Sequence, residues 1–196
     1  MRRTATLFLA IAAIGRTDDR TPAELDRTFA RLYNFDFGGA HAALNRHIAA
    51  NPSDPLGHAI RASAYLFFEL DRLGILESEF FADDKRIIDK KKLKPDPMIK
   101  AALFNAVEEA RARSQSILAG SPNDVNALFA MCITYGVVTD YTALVEKKQI
   151  SSLSHVKRSA AFAQRLLKID PQFYDAYLST GLTRSEERRV GKECRL

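Results

Sequence analysis

Residues 121–136 read SPNDVNALFAMCITYG, and the spacing within this segment predicts the fold. Leu128 stands six residues after Pro122, the small Cys132 stands ten residues after it, and Tyr135 stands thirteen residues after it. On a helix, a small side chain lets a neighbouring helix approach closely, and an aromatic side chain about one turn later fills the space that opens beside it. Proline ends a preceding helix and restricts the residue before it. The segment therefore indicates the junction between one pair of helices and the next.

Two other prolines carry the same frame. The matching residues are His58, Ala62 and Tyr65 after Pro52, and Tyr177 and Gly181 after Pro171. Small residues stand twelve positions before the three prolines and branched aliphatic residues four positions before them, namely Ala40, Ala110 and Ser159, and Ile48, Leu118 and Leu167. Helix pairs of this kind cannot bury their apolar faces alone and must stack. No segment shows the alternation of a strand, so we expect an all-α fold.

At these positions the chain resembles the tetratricopeptide repeat family, in which a two-helix unit of about 34 residues recurs. The resemblance extends loosely over residues 21–183. It implies a right-handed stack of antiparallel helix hairpins, a TPR-like α-solenoid. Two features depart from the family pattern: the prolines are 70 and 49 residues apart, and His58 replaces a bulky apolar residue.

The N-terminus has the pattern of a secretory signal peptide. Arg2 and Arg3 form a basic start, and residues 4–15, TATLFLAIAAIG, are apolar and small. This run is shorter than the about 20 residues that a membrane-spanning helix needs. Ala13 and Gly15 give a small-x-small cleavage pattern. We therefore expect residues 1–15 to be removed and the protein to be exported, as a periplasmic or secreted protein; a buried N-terminal helix is the alternative.

The C-terminal residues differ in character from the rest of the chain. Residues 184–194 read RSEERRVGKEC and resemble the translation of a common short-read sequencing adapter. The apolar periodicity stops at Thr183, and Arg184 stands where the earlier units have tyrosine. Segments of this kind are excluded from fold reasoning, although a native solvated tail is the alternative. We expect a helical repeat domain over residues 16–183, C-terminally truncated within a repeat, and a non-native tail over residues 184–196.

The charge of the chain argues against nucleic acid as a partner. The formal net charge is +5, to which the tail and the two N-terminal arginines contribute two charges each, leaving +1 for residues 16–183. Proteins that bind nucleic acid concentrate basic residues on one face to contact phosphates. A nearly neutral body lacks that general footprint.

Capping signals predict where the helices begin. Thr21-Pro22, Asp54-Pro55 and Asp96-Pro97 each combine an N-cap residue with a proline at the first helical position. Gly74 and Gly120 are expected to end the third and fourth helices. An apolar stripe at helical spacing marks the first helix and consists of Leu25, Phe29 and Leu32.

Three connections are predicted from composition. Residues 34–39, NFDFGG, are expected to form the first turn, and residues 149–152 are expected to form a loop. The helix of the 121–136 segment is expected to extend to Lys148. Residues 75–96 form a predicted insertion whose basic run around Lys90 suits an anionic membrane surface or an acidic partner. A solvated helix face, balanced by nearby aspartates, is the favoured interpretation of this run.

The sequence shows no pattern that is typical of a catalytic, cofactor or metal site. None of His41, His47, His58 and His155 pairs with another at the spacing that puts two ligands on one helix face, and HExxH is absent. GxGxxG, GxxxxGK[ST] and GxSxG are absent as well. Cys132 is expected to be a small buried packing residue rather than a nucleophile. We therefore expect no catalytic residue, no metal and no cofactor.

Stacked hairpins form a concave surface, and this surface is the predicted binding site. In the resembled family, the first helix of each hairpin lines the groove. Carried over to this chain, the resemblance implies a partner-binding lining of Leu56, Ala59, Ser63, Asn126, Phe129, Ile133, Asp175 and Leu178. The apolar members suit a protein or peptide ligand. The alternative is that a further helix covers the same surface as part of the core.

The favoured function is therefore a non-catalytic exported scaffold that binds a protein or peptide partner. One alternative is a structural module that self-associates or contacts an anionic membrane surface weakly through the basic residues 80–94. Another is the repeat part of a longer envelope enzyme whose catalytic domain follows residue 183.

Overall fold

The computed structural model describes residues 23–76, 93–177 and 179–181. Every regular element in these ranges is helical, which confirms the all-α prediction. The elements are α1 (Ala23–Tyr33), α2 (Phe37–Ala50), α3 (Pro55–Arg72), α4 (Pro97–Gly120), α5 (Val125–Asp140), a π-helical turn (Tyr141–Val145) and α6 (Gln149–Ile169). Helical residues follow at 174–177 and 179–181. The predicted signal peptide, most of the predicted insertion, Leu178 and the predicted tail lie outside the described residues.

The starts of α3 and α4 follow the predicted capping signals, whereas Thr21 and Pro22 lie outside the described residues. The side chain of Asp54 accepts a hydrogen bond from the Leu56 amide at 3.0 Å, and Pro55 is the first residue of α3. The carboxylate of Asp96 accepts from the Met98 amide at 2.7 Å at the start of α4. These caps satisfy amide groups that the first turn of a helix leaves without a partner. At the end of α3, Gly74 has a φ of 67°, a left-handed conformation that glycine adopts without strain.

Three turns with the same backbone hydrogen bonds join successive helix pairs. In the first, the amide of Asn51 donates to the His47 carbonyl at 2.8 Å, and the amide of Asp54 donates to the Asn51 carbonyl at 3.1 Å. The turns at 121–124 and 170–173 repeat both bonds. We call the contact of α2 with α3 the first junction and the contact of α4 with α5 the second junction. The proline frame therefore marks equivalent places in the fold.

Helices α1, α3 and α5 contact one another in a row, and α2, α4 and α6 pack beside them. Consecutive helices contact each other within the pairs α1–α2, α3–α4 and α5–α6, and also across both junctions. In addition, α1 contacts α3, and α3 contacts α5. The short turns before α2, α3 and α5 place the helices that they join antiparallel. Because α3 packs against α1, α2, α4 and α5, it is covered on most of its circumference.

The residues of the repeating frame lie in the core at both junctions. Ala62 and Cys132, the small residues after the first two prolines, are buried, as are the small residues Ala40 and Ala110 before them. Tyr65 is half-buried on α3, and Tyr135 is buried on α5. The stripe of Leu25, Phe29 and Leu32 is also buried, which confirms the predicted inward face of α1.

Arginines connect the first two turns to the helix pairs that follow them. The Nε of Arg113 on α4 donates to the carbonyl oxygen of Pro52 at 2.7 Å. The Nη2 of Arg165 on α6 donates to the carbonyl oxygen of Pro122 at 2.8 Å. Both bonds satisfy a backbone carbonyl in a turn, where no helical partner is present.

Three of the predicted boundaries are wrong. The first turn is shorter than predicted, because Asp36 caps the Gly39 amide at 2.9 Å and α2 begins at Phe37. Helix α5 ends at Asp140 instead of Lys148, and the π-helical turn follows, with the amide of Glu146 donating to the Tyr141 carbonyl at 3.1 Å. Residues 149–152 form the first turn of α6 rather than a loop.

The segment Val125–Val145 is long and apolar enough to cross a membrane by length and composition. However, 83% of its most apolar window is buried within the protein. An apolar segment covered by neighbouring helices is typical of a core helix, which is hydrophobic on all sides because it packs on all sides. Helix α5 contacts α3, α4 and α6, which accounts for its composition.

Candidate partner-binding groove

The structure separates the predicted groove residues into buried and accessible ones. Ala59, Leu56, Ser63 and Phe129 have exposed fractions of 0%, 2%, 3% and 6%. Their burial follows from the position of α3 and α5 between other helices. Ile133 and Asp175 are half-buried, Asn126 is exposed, and Leu178 lies outside the described residues. The four buried side chains are part of the core formed by the helices of this chain, whereas Asn126 is available to a partner.

Asn126 lies in two adjoining clefts along the edge that the turns form. One cleft has a volume of about 490 Å³ and reaches from the first turn to the second. The other has a volume of about 460 Å³ and reaches from the second turn to the third. We call them together the turn-edge groove. Their lining residues are Glu24, His47, Asn51, Ser53, Asp54, Pro55, Ile117, Asp124, Val125, Asn126 and Asp170.

Acceptor oxygens dominate the groove. Glu24, Asp54, Asp124 and Asp170 contribute carboxylates, and lysine and arginine are absent from the described lining. Two of these carboxylates also cap helices, since the carboxylate of Asp124 accepts from the Ala127 amide at 2.8 Å and Asp54 caps α3. Glu24 is also paired with Arg46 at 3.5 Å, so the negative surface next to the helix starts depends on Asp54, Asp124 and Asp170.

His47 and Asp54 form a close pair at the base of the first cleft. The Nε2 of His47 lies 2.6 Å from the Asp54 carboxylate, and His47 is only 3% exposed. Gly57 on α3 lies directly against this imidazole, because a Cβ at that position would lie 2.8 Å from the Cδ2 of His47. A histidine and a carboxylate are also found in catalytic sites, but here the Nε2 is occupied by Asp54. The pair holds the first turn to the end of α2.

A second polar cluster holds the residues just before α4. The buried Glu69 accepts from the Nε of Arg72 at 2.7 Å and from the Asp96 amide at 2.7 Å. Burial, and then the charges of Glu69 and Glu146, raise the pKa of the nearby Tyr141 to about 12. These contacts fix the start of α4 against the end of α3, so we assign the cluster a structural role.

Cys132 lies in the interior, as its place in the frame predicts. Its Sγ lies 3.4 Å from the Ser159 hydroxyl and 3.1 Å from the Ser179 hydroxyl. Burial raises the pKa of the Cys132 thiol. A thiol that resists ionisation is a poor nucleophile, so the residue packs three segments together.

Sequence reasoning missed an exposed aromatic corner between α1 and α2. The rings of Phe35 and Phe37 contact edge to face at a centroid distance of 6.0 Å, and those of Phe37 and Phe68 do so at 5.4 Å. Phe35 is 53% exposed and has a φ of 58°. Residues 34–39 are predicted as a turn, and the alternating phenylalanines Phe35 and Phe37 are the signal in the sequence for this corner.

Within residues 23–76, 93–177 and 179–181, no three histidine, cysteine or acidic side chains are grouped as metal ligands would be. Comparison of the chain with protein-family models, with curated proteins and with solved structures finds no match in any of the three. The function must therefore be argued from the groove and its chemistry.

Proposed function

We propose that this chain is a non-catalytic helical-repeat scaffold that binds an extended peptide segment of a partner protein along the turn-edge groove. The observation that carries the proposal is the continuity of the groove across three equivalent turns. A groove of that form suits an extended chain, because the ligand can make repeated contacts as it crosses successive turns.

The contact pattern supports a TPR-like stack of hairpins as the finer architecture. Helices α1, α3 and α5 contact one another in sequence, while α2, α4 and α6 each pack beside their partner in the pair. The three turns repeat the same hydrogen bonds. Repetition of one pair-to-pair contact is what generates a solenoid.

The charge of the groove selects the class of peptide. Its carboxylates favour a segment that carries lysine or arginine, and the exposed amide of Asn126 can both donate to and accept from a peptide backbone. Residues 16–183 carry a net charge of only +1 and therefore exert little long-range attraction on a basic ligand. Binding of a basic peptide would therefore be due to the negative charge of the groove itself.

The test uses three labelled peptides of equal length in which alanine alternates with lysine, glutamine or glutamate. Fluorescence anisotropy with the full chain should show binding of the lysine peptide, weakened by salt, and no binding of the glutamate peptide. Asn126→Lys should weaken binding by about tenfold, since it places a cation in both clefts. Gln164→Lys adds the same charge at an exposed position of α6 and should leave binding unchanged. Equal effects of the two variants, or no binding of the lysine peptide, would refute the proposal.

We also propose that the protein is exported, on the basis of residues 1–15. Mass spectrometry of the chain recovered from a periplasmic or secreted fraction should give a mature protein that begins at Arg16. Replacing Ala13 and Gly15 by leucine should block this processing. Recovery of the unprocessed chain from the cytoplasm alone would contradict export. The membrane-contact alternative depends on residues 80–94, of which 80–92 lie outside the described residues. It stays a prediction, as does the envelope-enzyme alternative.

A further inference from the structure

Two arginines and a histidine converge on Tyr135 at the second junction. The guanidinium carbon of Arg111 on α4 lies 3.9 Å from the centroid of the tyrosine ring. Arg158 on α6 donates from Nη1 to the phenolic oxygen at 3.2 Å. The imidazole of His155, also on α6, stacks on the ring with a centroid distance of 6.3 Å. Three nitrogen-rich side chains from two helices thus surround one aromatic ring.

Among the described residues, no ion pair balances the positive charge of this cluster. Elsewhere, Lys100 pairs with Glu146 at 2.7 Å, and Arg72 pairs with Glu69 at 2.7 Å. By contrast, no carboxylate among the described residues forms an ion pair with Arg111 or Arg158. Glu108 attracts Arg111 from a greater distance. Arg111 is held instead by hydrogen bonds to Thr134 and by the Tyr135 ring, and the exposed Arg158 bonds to the Tyr135 hydroxyl. Neither contact neutralises a positive charge.

The electrostatics of the cluster favour an added negative charge. Burial lowers the pKa of Arg111; the interaction with Tyr135 raises it in part, and repulsion from Arg158 lowers it further. Burial, followed by repulsion from the two arginines, lowers the pKa of His155. The Nδ1 of His155 is buried and has no hydrogen-bond partner in the part of the chain that the structure describes. An anion beside the two guanidinium groups would relieve the repulsion between them and their repulsion of His155.

We propose that Arg111, Arg158 and His155 form a binding site for a phosphate oxyanion, supplied as free phosphate or as a lipid head group. Arg111 uses its Nε and Nη2 on the hydroxyl and carbonyl of Thr134, which fixes the guanidinium and leaves its other N–H groups available. Arg158 is exposed and has donors besides Nη1. A tetrahedral phosphate accepts bonds from several directions, as donors on two helices require, whereas a carboxylate accepts in one plane. This site is independent of the proposed peptide groove.

The first experiment titrates inorganic phosphate into the full chain in a buffer free of other oxyanions, with binding followed by calorimetry and by thermal unfolding. Binding should saturate and raise the unfolding temperature. Arg158→Gln should weaken binding by about tenfold or more, because it removes a charge-assisted hydrogen bond. Arg165→Gln, on the same helix but bonded to Pro122, is the matched control and should bind normally. Acetate should bind much more weakly than phosphate.

The second experiment identifies the source of the phosphate group. The chain is mixed with vesicles of phosphatidylcholine and phosphatidylglycerol in equal parts, and with vesicles of phosphatidylcholine alone. The site would be assigned to a lipid head group if the chain sediments with the anionic vesicles. This sedimentation should be abolished by Arg158→Gln and reversed by free phosphate. Phosphate binding without sedimentation would assign it to free phosphate. Absence of phosphate binding, equal binding of acetate, or equal binding by Arg158→Gln would overturn the proposal.

Discussion

Tyr65 and Tyr135 stand at the same place in the sequence frame, thirteen residues after Pro52 and Pro122. Each ring packs against the residue that stands eleven positions before its proline. His41 lies against Tyr65 with a centroid distance of 4.5 Å, and Arg111 lies over Tyr135. Yet Tyr65 is only half-buried, whereas Tyr135 is 7% exposed.

The difference arises in the second helix of the pair to which each tyrosine belongs. On α6, Phe162 stacks on Tyr135 with a centroid distance of 5.8 Å, and Arg158 bonds to its hydroxyl. The corresponding residues of α4, nine and thirteen positions before the next proline, are Arg113 and Glu109, which form an ion pair with each other. The spacing from the proline thus determines where the tyrosine ring lies. The second helix of the pair determines how deeply the ring is buried and which charges surround it.

The largest predicted effect tests this contrast directly. Tyr135→Ala should lower the free energy of unfolding by about 3–5 kcal/mol, because it removes a buried aromatic ring that stacks on three side chains. Tyr65→Ala should cost about 1–2 kcal/mol, since part of that ring is already in water. Urea denaturation followed by circular dichroism measures both. Equal losses would show that the two sites are not distinguished by burial.

The next effect compares the aspartates that cap α3 and α5. Asp124→Ala removes one cap and should cost about 1 kcal/mol. Asp54→Ala removes a cap and also leaves the buried His47 without its partner, so we expect a loss of about 2–4 kcal/mol. The same denaturation assay applies. Restoring the carboxylate with Asp54→Glu should recover part of the His47 contact, and no recovery would indicate that the cap alone matters.

A smaller effect concerns the close approach of α3 to α2 at the first junction. Gly57→Ala should destabilise the fold by about 1–3 kcal/mol, because the added methyl group overlaps His47. Gly136→Ala is the matched control on α5, where a Cβ would meet nothing within 4 Å. It should stabilise the helix by roughly 0.5–1 kcal/mol, since alanine has the better helix propensity. A harmless Gly57→Ala would show that the two helices can separate without cost.

The smallest effect is the pH dependence of the two junctions. The pKa values of His41 and His155 lie below the usual value of about 6.5, in each case first because of burial. Since the unfolded chain then binds protons more readily, stability should fall as the pH drops through 6.5 toward the folded-state pKa values. His155→Gln and His41→Gln should each flatten this decline in thermal-unfolding profiles.

Phosphate sharpens the same measurement. An anion bound near His155 should raise the pKa of His155 and reduce the part of the acid-induced loss of stability that His155 causes. The part that His41 causes should not change. The wild-type profile in phosphate should therefore approach that of His155→Gln. Equal changes at both histidines would point to a general salt effect.

Local signals in the sequence were sufficient for most of the helix boundaries. Asp54-Pro55 and Asp96-Pro97 define helix starts through contacts within a few residues, and the predictions at these positions are confirmed. The end of α5 was missed because the apolar pattern continues through the π-helical turn at Tyr141, where only the hydrogen-bond spacing changes.

The candidate site depends on contacts that are distant in the chain. Leu56 and Ala59 are buried because four helices surround α3, and no residue near them in sequence indicates that arrangement. The groove at Asn126 exists because turns about 70 residues apart in sequence lie side by side. Likewise, Arg111 and Arg158 are 47 residues apart in the sequence. Both contact Tyr135 only because α4 and α6 pack against α5.

The bonds from Arg113 to Pro52 and from Arg165 to Pro122 span 61 and 43 residues of chain. During synthesis, the donor for each proline carbonyl leaves the ribosome only after the whole intervening segment has been made. Each of these two turns therefore keeps its hydration until the second helix of the next pair arrives to replace water. The closing of each turn consequently lags one helix pair behind its emergence.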